Sequence, residues 1–200
     1  MMRLRRFGRL FFWGSALLGT ACGSGDPVEA SPDVGGPYGV CGAFIQQFQV
    51  DAATHVAECS PLDDSVKPPY GGPHYPSWAA FQYYDFAVPH GYLIHAMEHG
   101  ALVFYYNCAD GCAAEVASAK QVIEAQAVDP LCTGTGTSRR AILVPDPTLD
   151  VQWAASAWGF TLRADCFDPD VFARFYQAHY AKGPENFCSP GVAFTSSPCP

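Results

Sequence analysis

Four of the six histidines fall between His74 and His99, and the group closes with His95-Ala-Met-Glu98-His99-Gly100. On a helix, positions i and i+4 share a face, so His95 and His99 can aim two imidazoles at one ion with Glu98 beside them. Upstream, the segment from Pro68 to Pro76 reads Pro-Pro-Tyr-Gly-Gly-Pro-His-Tyr-Pro. Proline stiffens this turn and glycine shapes it, so His74 has little freedom to lose on binding a ligand. Two chemistries suit such a set. In one, the imidazoles bind a metal and Glu98 is a further ligand or orients one. In the other, His95-x-x-Glu98-His99 is an inverted zinc-protease arrangement, with Glu98 as general base for a zinc-bound water and Glu185 as the downstream acidic ligand. Gly100 and an apolar run follow at once, so the motif occupies only a turn or two of helix, which favours the first. A third reading keeps the histidines as core residues that satisfy backbone groups.

The remaining candidates are weaker. Met97 could offer a soft sulfur to copper(I), but its place on the helix points it to the core. His90 stands apart, and His179 shares a helical stripe with Phe172, Phe175 and Tyr176, where a packed ring is the commoner outcome. Cys108 and Cys112 have spacing that a metal could use. Tyr83, Tyr84, Trp78, Phe81 and Tyr92 read as packing rather than as a carbohydrate cleft. No glycine-rich phosphate loop, nucleophile elbow or Ser/His/Asp order is present.

The elements that must position these residues begin after an export signal. Arg3, Arg5, Arg6 and Arg9 precede an apolar stretch from Leu10 to Leu18 that is too short to span a membrane. Leu17-Leu18-Gly19-Thr20-Ala21-Cys22 resembles a bacterial lipoprotein processing site. It implies a signal peptide over 1–21, lipidated Cys22 as first mature residue, and attachment to a membrane through that anchor. Eight further cysteines, Cys41, Cys59, Cys108, Cys112, Cys132, Cys166, Cys188 and Cys199, form an even set that an oxidising compartment would pair into up to four disulfides. The expected location is the bacterial cell envelope, periplasmic or on the cell surface. Without the four leader arginines, seven Lys/Arg face nineteen Asp/Glu, a net charge of −12. Nucleic acid and anionic membrane surfaces are poor partners for such a chain, and metal cations better ones.

Residues 22–38 have almost no large apolar side chains and read as a flexible tether, leaving 39–200 as a single globular metal-binding domain. Up to Tyr92 the pattern is irregular and broken by prolines. Beyond it, Ala101–Asn107 reads as a buried strand, Cys112–Val128 as a helix, Ala141–Val144 as a second strand and Leu149–Trp158 as a short helix ended by Gly159. Phe160–Leu162 reads as a third strand, and Asp168-Pro169 opens a last helix that stops at Lys182-Gly183. This succession predicts an α/β fold. It takes the form of one compact domain with a small mixed sheet flanked by helices, reinforced by disulfides, with an irregular proline-rich N-terminal half.

Pro68-Pro69 through Gly72-Pro73-His74-Tyr75, then His95-x-x-Glu98-His99-Gly100 running into an apolar strand, resemble the domain-of-unknown-function 3105 family of bacterial envelope proteins. The resemblance extends to His55-Val56, Ala157-Trp158-Gly159 and Gly183-Pro184-Glu185, and covers most of residues 44–187. Tyr70-Gly71 stands where that family usually has threonine-serine, and the many cysteines look like an addition. The resemblance implies His55, His74, His95 and His99 as matching histidines, with Glu98 as the matching acid. Such a set suits zinc or copper(II) rather than calcium or magnesium. The expectation is an exported, lipid-anchored protein that binds copper or zinc through His74, His95 and His99, with His55 and Glu98 taking part, for sequestration, delivery or sensing. The alternatives are a metal-dependent hydrolase with Glu98 as catalytic base and a structural or interaction module without chemistry.

Overall fold

The computed structural model describes residues 33–50, 52–109 and 111–199. The expected leader, Cys22 and most of the tether lie outside the described residues. A six-stranded sheet runs in the order β1-β2-β6-β5-β3-β4. Its strands are β1 (Gly35–Tyr38), β2 (Ala43–Gln47), β3 (Leu102–Tyr106), β4 (Ala141–Pro145), β5 (Trp153–Ala157) and β6 (Phe160–Ala164). Only β3 and β4 pair in parallel; every other neighbouring pair is antiparallel. Three helices accompany them: α1 (His90–Glu98), α2 (Ala113–Glu124) and α3 (Pro169–His179). The fold is the expected α/β domain with a mixed sheet.

The central strands are buried on both faces, which is why they read as unbroken apolar runs. Side chains alternate along a strand. Leu102 and Phe104 of β3, Ala141 and Leu143 of β4, and Trp153, Ala155 and Ala157 of β5 therefore join the residues of α2 and α3 in one core. Val103 and Tyr105, Ile142 and Val144, and Ala154 point the other way, into a second core shared with α1 and the proline-rich loops. α3 starts as its sequence predicts, with the Asp168 side chain accepting from the N–H groups of Asp170 and Val171 and Pro169 in the first turn.

Two expectations are corrected. The helix expected over Leu149–Trp158 is instead β5, joined to β6 by the two residues Trp158 and Gly159, with Ala157 opposite Phe160. Alanine is the best helix former, but its advantage is under about 1 kcal/mol per residue, and burial of all five residues between two layers outweighs it. The end of the expected tether is also ordered. Residues 35–38 form β1 against β2, and His179 Nε2 lies 2.7 Å from Asp33 Oδ2. β2 itself carries a readable alternation, with Ala43 and Ile45 buried and Phe44 exposed, inside a half otherwise dominated by turns.

The eight cysteines form four disulfides, Cys41–Cys166, Cys59–Cys199, Cys108–Cys112 and Cys132–Cys188. Cys108 and Cys112 are thus a disulfide and not a metal pair. Cys132–Cys188 and Cys59–Cys199 fasten the C-terminal tail against the core that contains α1. No helix among the described residues is long and apolar enough to cross a membrane.

Candidate metal centre

α1 has nine residues and all but His90 are buried. Gly100 ends it at φ +84°, with Gly100 N–H bonded to Met97 O at 2.9 Å and Ala101 N–H to Ala96 O at 3.0 Å. His99 is the capping residue, beyond the last helical one. His99 N–H still bonds to His95 O at 3.3 Å, and the two rings stand edge to face 4.7 Å apart, so the pair shares a face as the i, i+4 spacing predicts.

The histidine loop docks on α1 through its backbone. Val56 N–H donates to His74 O at 2.8 Å and His74 N–H to Thr54 O at 3.0 Å, which sets His55 beside His74. Tyr75 N–H donates to Gly91 O at 3.3 Å. A Cβ at Gly91 would meet the Tyr75 ring at 2.5 Å, so glycine is what lets that ring lie on the helix. The result is a triangle of imidazoles, with ring centres 4.9 Å apart for His55 and His74, 5.0 Å for His55 and His95, and 4.7 Å for His74 and His95.

Hydrogen bonding decides which nitrogens are available. His74 Nδ1 lies 2.8 Å from Gly72 O and His95 Nδ1 lies 2.6 Å from Tyr75 O. A carbonyl only accepts, so each Nδ1 carries a hydrogen, and in its neutral form each ring presents a lone pair at Nε2. Both lone pairs face the same carboxylate oxygen. Glu98 Oε2 is 3.0 Å from His74 Nε2 and 3.8 Å from His95 Nε2. Despite the short distance, His74 Nε2 is buried with no aligned hydrogen-bond partner. Burial pushes the His95 pKa down to about 4; the Tyr75 carbonyl opposes this, and His74 and His55 add to it. His99 is pushed down to about 3, first by burial and then by His95, His74, Arg140 and His55.

Donor atoms of His55, His74, His95 and Glu98 all lie within 4.8 Å of one another, and so do those of Glu98, His99 and Glu185. Either group could hold a metal ion. His55 is the exposed member of the first and Glu185 of the second. Of the expected trio, His74 and His95 lie in the first group and His99 in the second, with the His95 and His99 rings 4.7 Å apart where the two groups meet. Glu98, the base of the inverted-protease arrangement, sits among the donors of both groups.

Other sequence candidates lie elsewhere. Met97 is fully buried and accepts from Ser156 Oγ at 3.0 Å. His179 packs between Phe160 and Phe175. Sequence alone did not single out the carbonyls of Gly72 and Tyr75 that orient the rings, since every residue carries a carbonyl.

His90 is held by Asp146 at 2.8 Å and Asp64 at 3.0 Å. Burial by itself would lower its pKa, but the hydrogen bond and charge of Asp146, then of Asp64, raise it above the ordinary 6.5. A raised folded-state pKa stabilises fully below the unfolded value and is lost as pH rises through the folded one. His90→Asn is therefore expected to cost about 1–3 kcal/mol at pH 6 and progressively less toward pH 9. A cost that denaturant unfolding finds unchanged over that range would count against the charged pair.

Neither a curated protein nor a solved structure matches the chain. A family model described as a protein of unknown function, DUF3105, matches residues 55–190. That span opens on His55, includes His74, His95, Glu98, His99 and Glu185, and covers more than half of the chain. The chain therefore belongs to the DUF3105 family of proteins of unknown function.

Proposed function

We propose that this protein binds a transition-metal ion, zinc or copper(II), through His74, His95, Glu98 and His55, as an exported, lipid-anchored envelope protein that sequesters, delivers or senses the metal. One observation carries the reading. Two buried Nε2 lone pairs, fixed by carbonyls at the opposite ring nitrogens, converge on a carboxylate oxygen. With neutral rings and no cation this arrangement is repulsive and leaves His74 Nε2 unsatisfied, a cost of about 1–3 kcal/mol. With a cation it is a three-imidazole, one-carboxylate set in which the His74 and His95 rings are oriented through their second nitrogens, as metal-bound histidines are.

Nitrogen-rich donors favour zinc or copper(II) over calcium or magnesium. A cavity of about 280 Å³ borders the histidine loop at Gly71, Gly72 and Pro73, yet none of its lining residues is a proposed ligand. The four disulfides support export to an oxidising compartment, and Ala21-Cys22 supports the lipid anchor.

Protein recovered from the envelope fraction of its own cells is expected to carry zinc or copper, and His95→Ala protein to have lost it. Recovery from the cytosol would sink the export reading. Absence of both metals, or content unaffected by His95→Ala, would sink the metal reading.

A further inference from the structure

We infer that a second divalent transition-metal ion, of the zinc class, binds at Glu98, His99 and Glu185, with the Glu98 carboxylate shared between two ions; this rests on the metal reading of the histidine cluster. The three donors lie within 4.8 Å of one another, and Glu98 is the member common to both groups. A carboxylate has two oxygens and about four lone-pair sites, enough to serve two cations. Paired ions in proteins stand roughly 3.5–4 Å apart, the scale on which one carboxylate bridges them.

The His99 ring is positioned without an evident hydrogen-bonding task. It is 2 % exposed, and its Nδ1 is buried with no partner. Trp78 and Phe187 hold it with ring centres 4.4 and 4.0 Å away, and its Nε2 lies 3.3 Å from Glu185 Oε2. With its hydrogen on Nδ1, the neutral imidazole presents its Nε2 lone pair on the side of Glu185.

Glu185 is delivered to this position by its backbone. Its N–H donates to Glu98 O at 2.9 Å. At Gly183, a Cβ would stand 2.2 Å from Glu98 O and 2.5 Å from both Gly100 N and Met97 O, so only glycine lets the tail lie on the end of α1. Next along, Asn186 Oδ1 accepts from Arg140 Nη1 at 2.7 Å, and the same Nη1 donates to His99 O at 2.7 Å. One guanidinium thus ties the two sides of the second group together, and the Cys132–Cys188 disulfide closes the tail two residues further on.

The two positions differ in character. Three imidazoles and a carboxylate surround the first, whereas one imidazole and two carboxylates form the second. The Glu185 side chain is 54 % exposed, so the second ion is the more accessible and the more readily exchanged. It takes zinc in preference to calcium because a buried imidazole is part of the set.

Zinc titration of the chelator-stripped full chain, with bound metal counted by elemental analysis after gel filtration, tests this. Two zinc ions per chain are expected, falling to one in Glu185→Gln and in His99→Ala while the tighter binding event persists. Glu185→Gln alters an exposed side chain and keeps the test valid if His99→Ala does not fold. Copper(II) loading gives a second readout, because adjacent copper(II) ions couple magnetically and the coupling should vanish in Glu185→Gln. One ion in the parent chain, or two ions retained in both variants, overturns the second position and leaves the first standing. No uptake by the parent chain overturns both.

Discussion

Glu98→Gln is expected to stabilise the metal-stripped protein while loosening its grip on zinc. In the native chain a carboxylate oxygen faces the Nε2 lone pairs of His74 and His95, because Gly72 O and Tyr75 O hold the ring protons on the opposite nitrogens. The amide of glutamine has nearly the same shape but carries hydrogens. A small rotation lets it donate to His74 Nε2, which is otherwise buried without a partner. Satisfying that group should raise the unfolding free energy of the stripped protein by about 1–2 kcal/mol. A neutral amide is a poor substitute for an anionic ligand, so zinc affinity should fall by at least about 100-fold, close to 2.7 kcal/mol. The opposing signs are the diagnostic feature. If His74 were an imidazolium paired with Glu98, breaking that buried pair would instead cost about 3–5 kcal/mol. Denaturant unfolding of stripped protein together with zinc titration decides between them. A less stable Glu98→Gln protein, or unchanged zinc affinity, would remove the basis for the metal reading.

Arg140→Met is expected to be the most damaging single change away from the donors. Arg140 is 1 % exposed; its Nε and Nη2 reach Asp129 Oδ2 at 2.9 and 2.8 Å, and its Nη1 reaches His99 O and Asn186 Oδ1. Methionine fills similar volume, so the loss isolates the charge and hydrogen bonds. Asp129 keeps Tyr180 Oη and Leu131 N–H as donors but loses its cation. Stranding a buried carboxylate in this way costs about 3–5 kcal/mol, or roughly 6–20 °C in melting temperature for a domain of this size. Asp129→Asn in the same chain should restore part of that loss, because it removes the stranded charge. Differential scanning calorimetry on the parent chain and the two variants measures it; a fall of under about 1 kcal/mol for Arg140→Met would show the network to be dispensable. Since Arg140 also spans from His99 to the tail that carries Glu185, its effect should extend to the second metal group.

What the amino-acid sequence determined by itself was local. The preorganised His74 loop, the short His95-x-x-Glu98-His99 helix, the strand runs of β3 and β4 and the Asp168-Pro169 start of α3 all follow from proline, glycine and apolar spacing within a few residues. So did the pairing of cysteines in number, though not in partner, because eight cysteines close loops whose geometry only the folded chain sets. Tertiary structure decided the rest. Trp153-Ala-Ala-Ser-Ala157 carries a helix-forming composition, and only its burial between two layers makes it β5. β1 and β2 exist because β6 offers β2 an edge to pair with. The i, i+4 spacing placed His95 and His99 side by side, but the donors that complete a set around each, His55 and His74 for one and Glu185 for the other, come from distant segments. His55 and Glu185 stand far from α1 in sequence: backbone hydrogen bonds on either side of His55 join it to the His74 loop that docks on α1, and Glu185 N–H bonds directly to Glu98 O. Spacing specifies which donors share a turn, whereas closure of a site across the fold depends on contacts between segments whose separation along the chain carries no information about their distance in space.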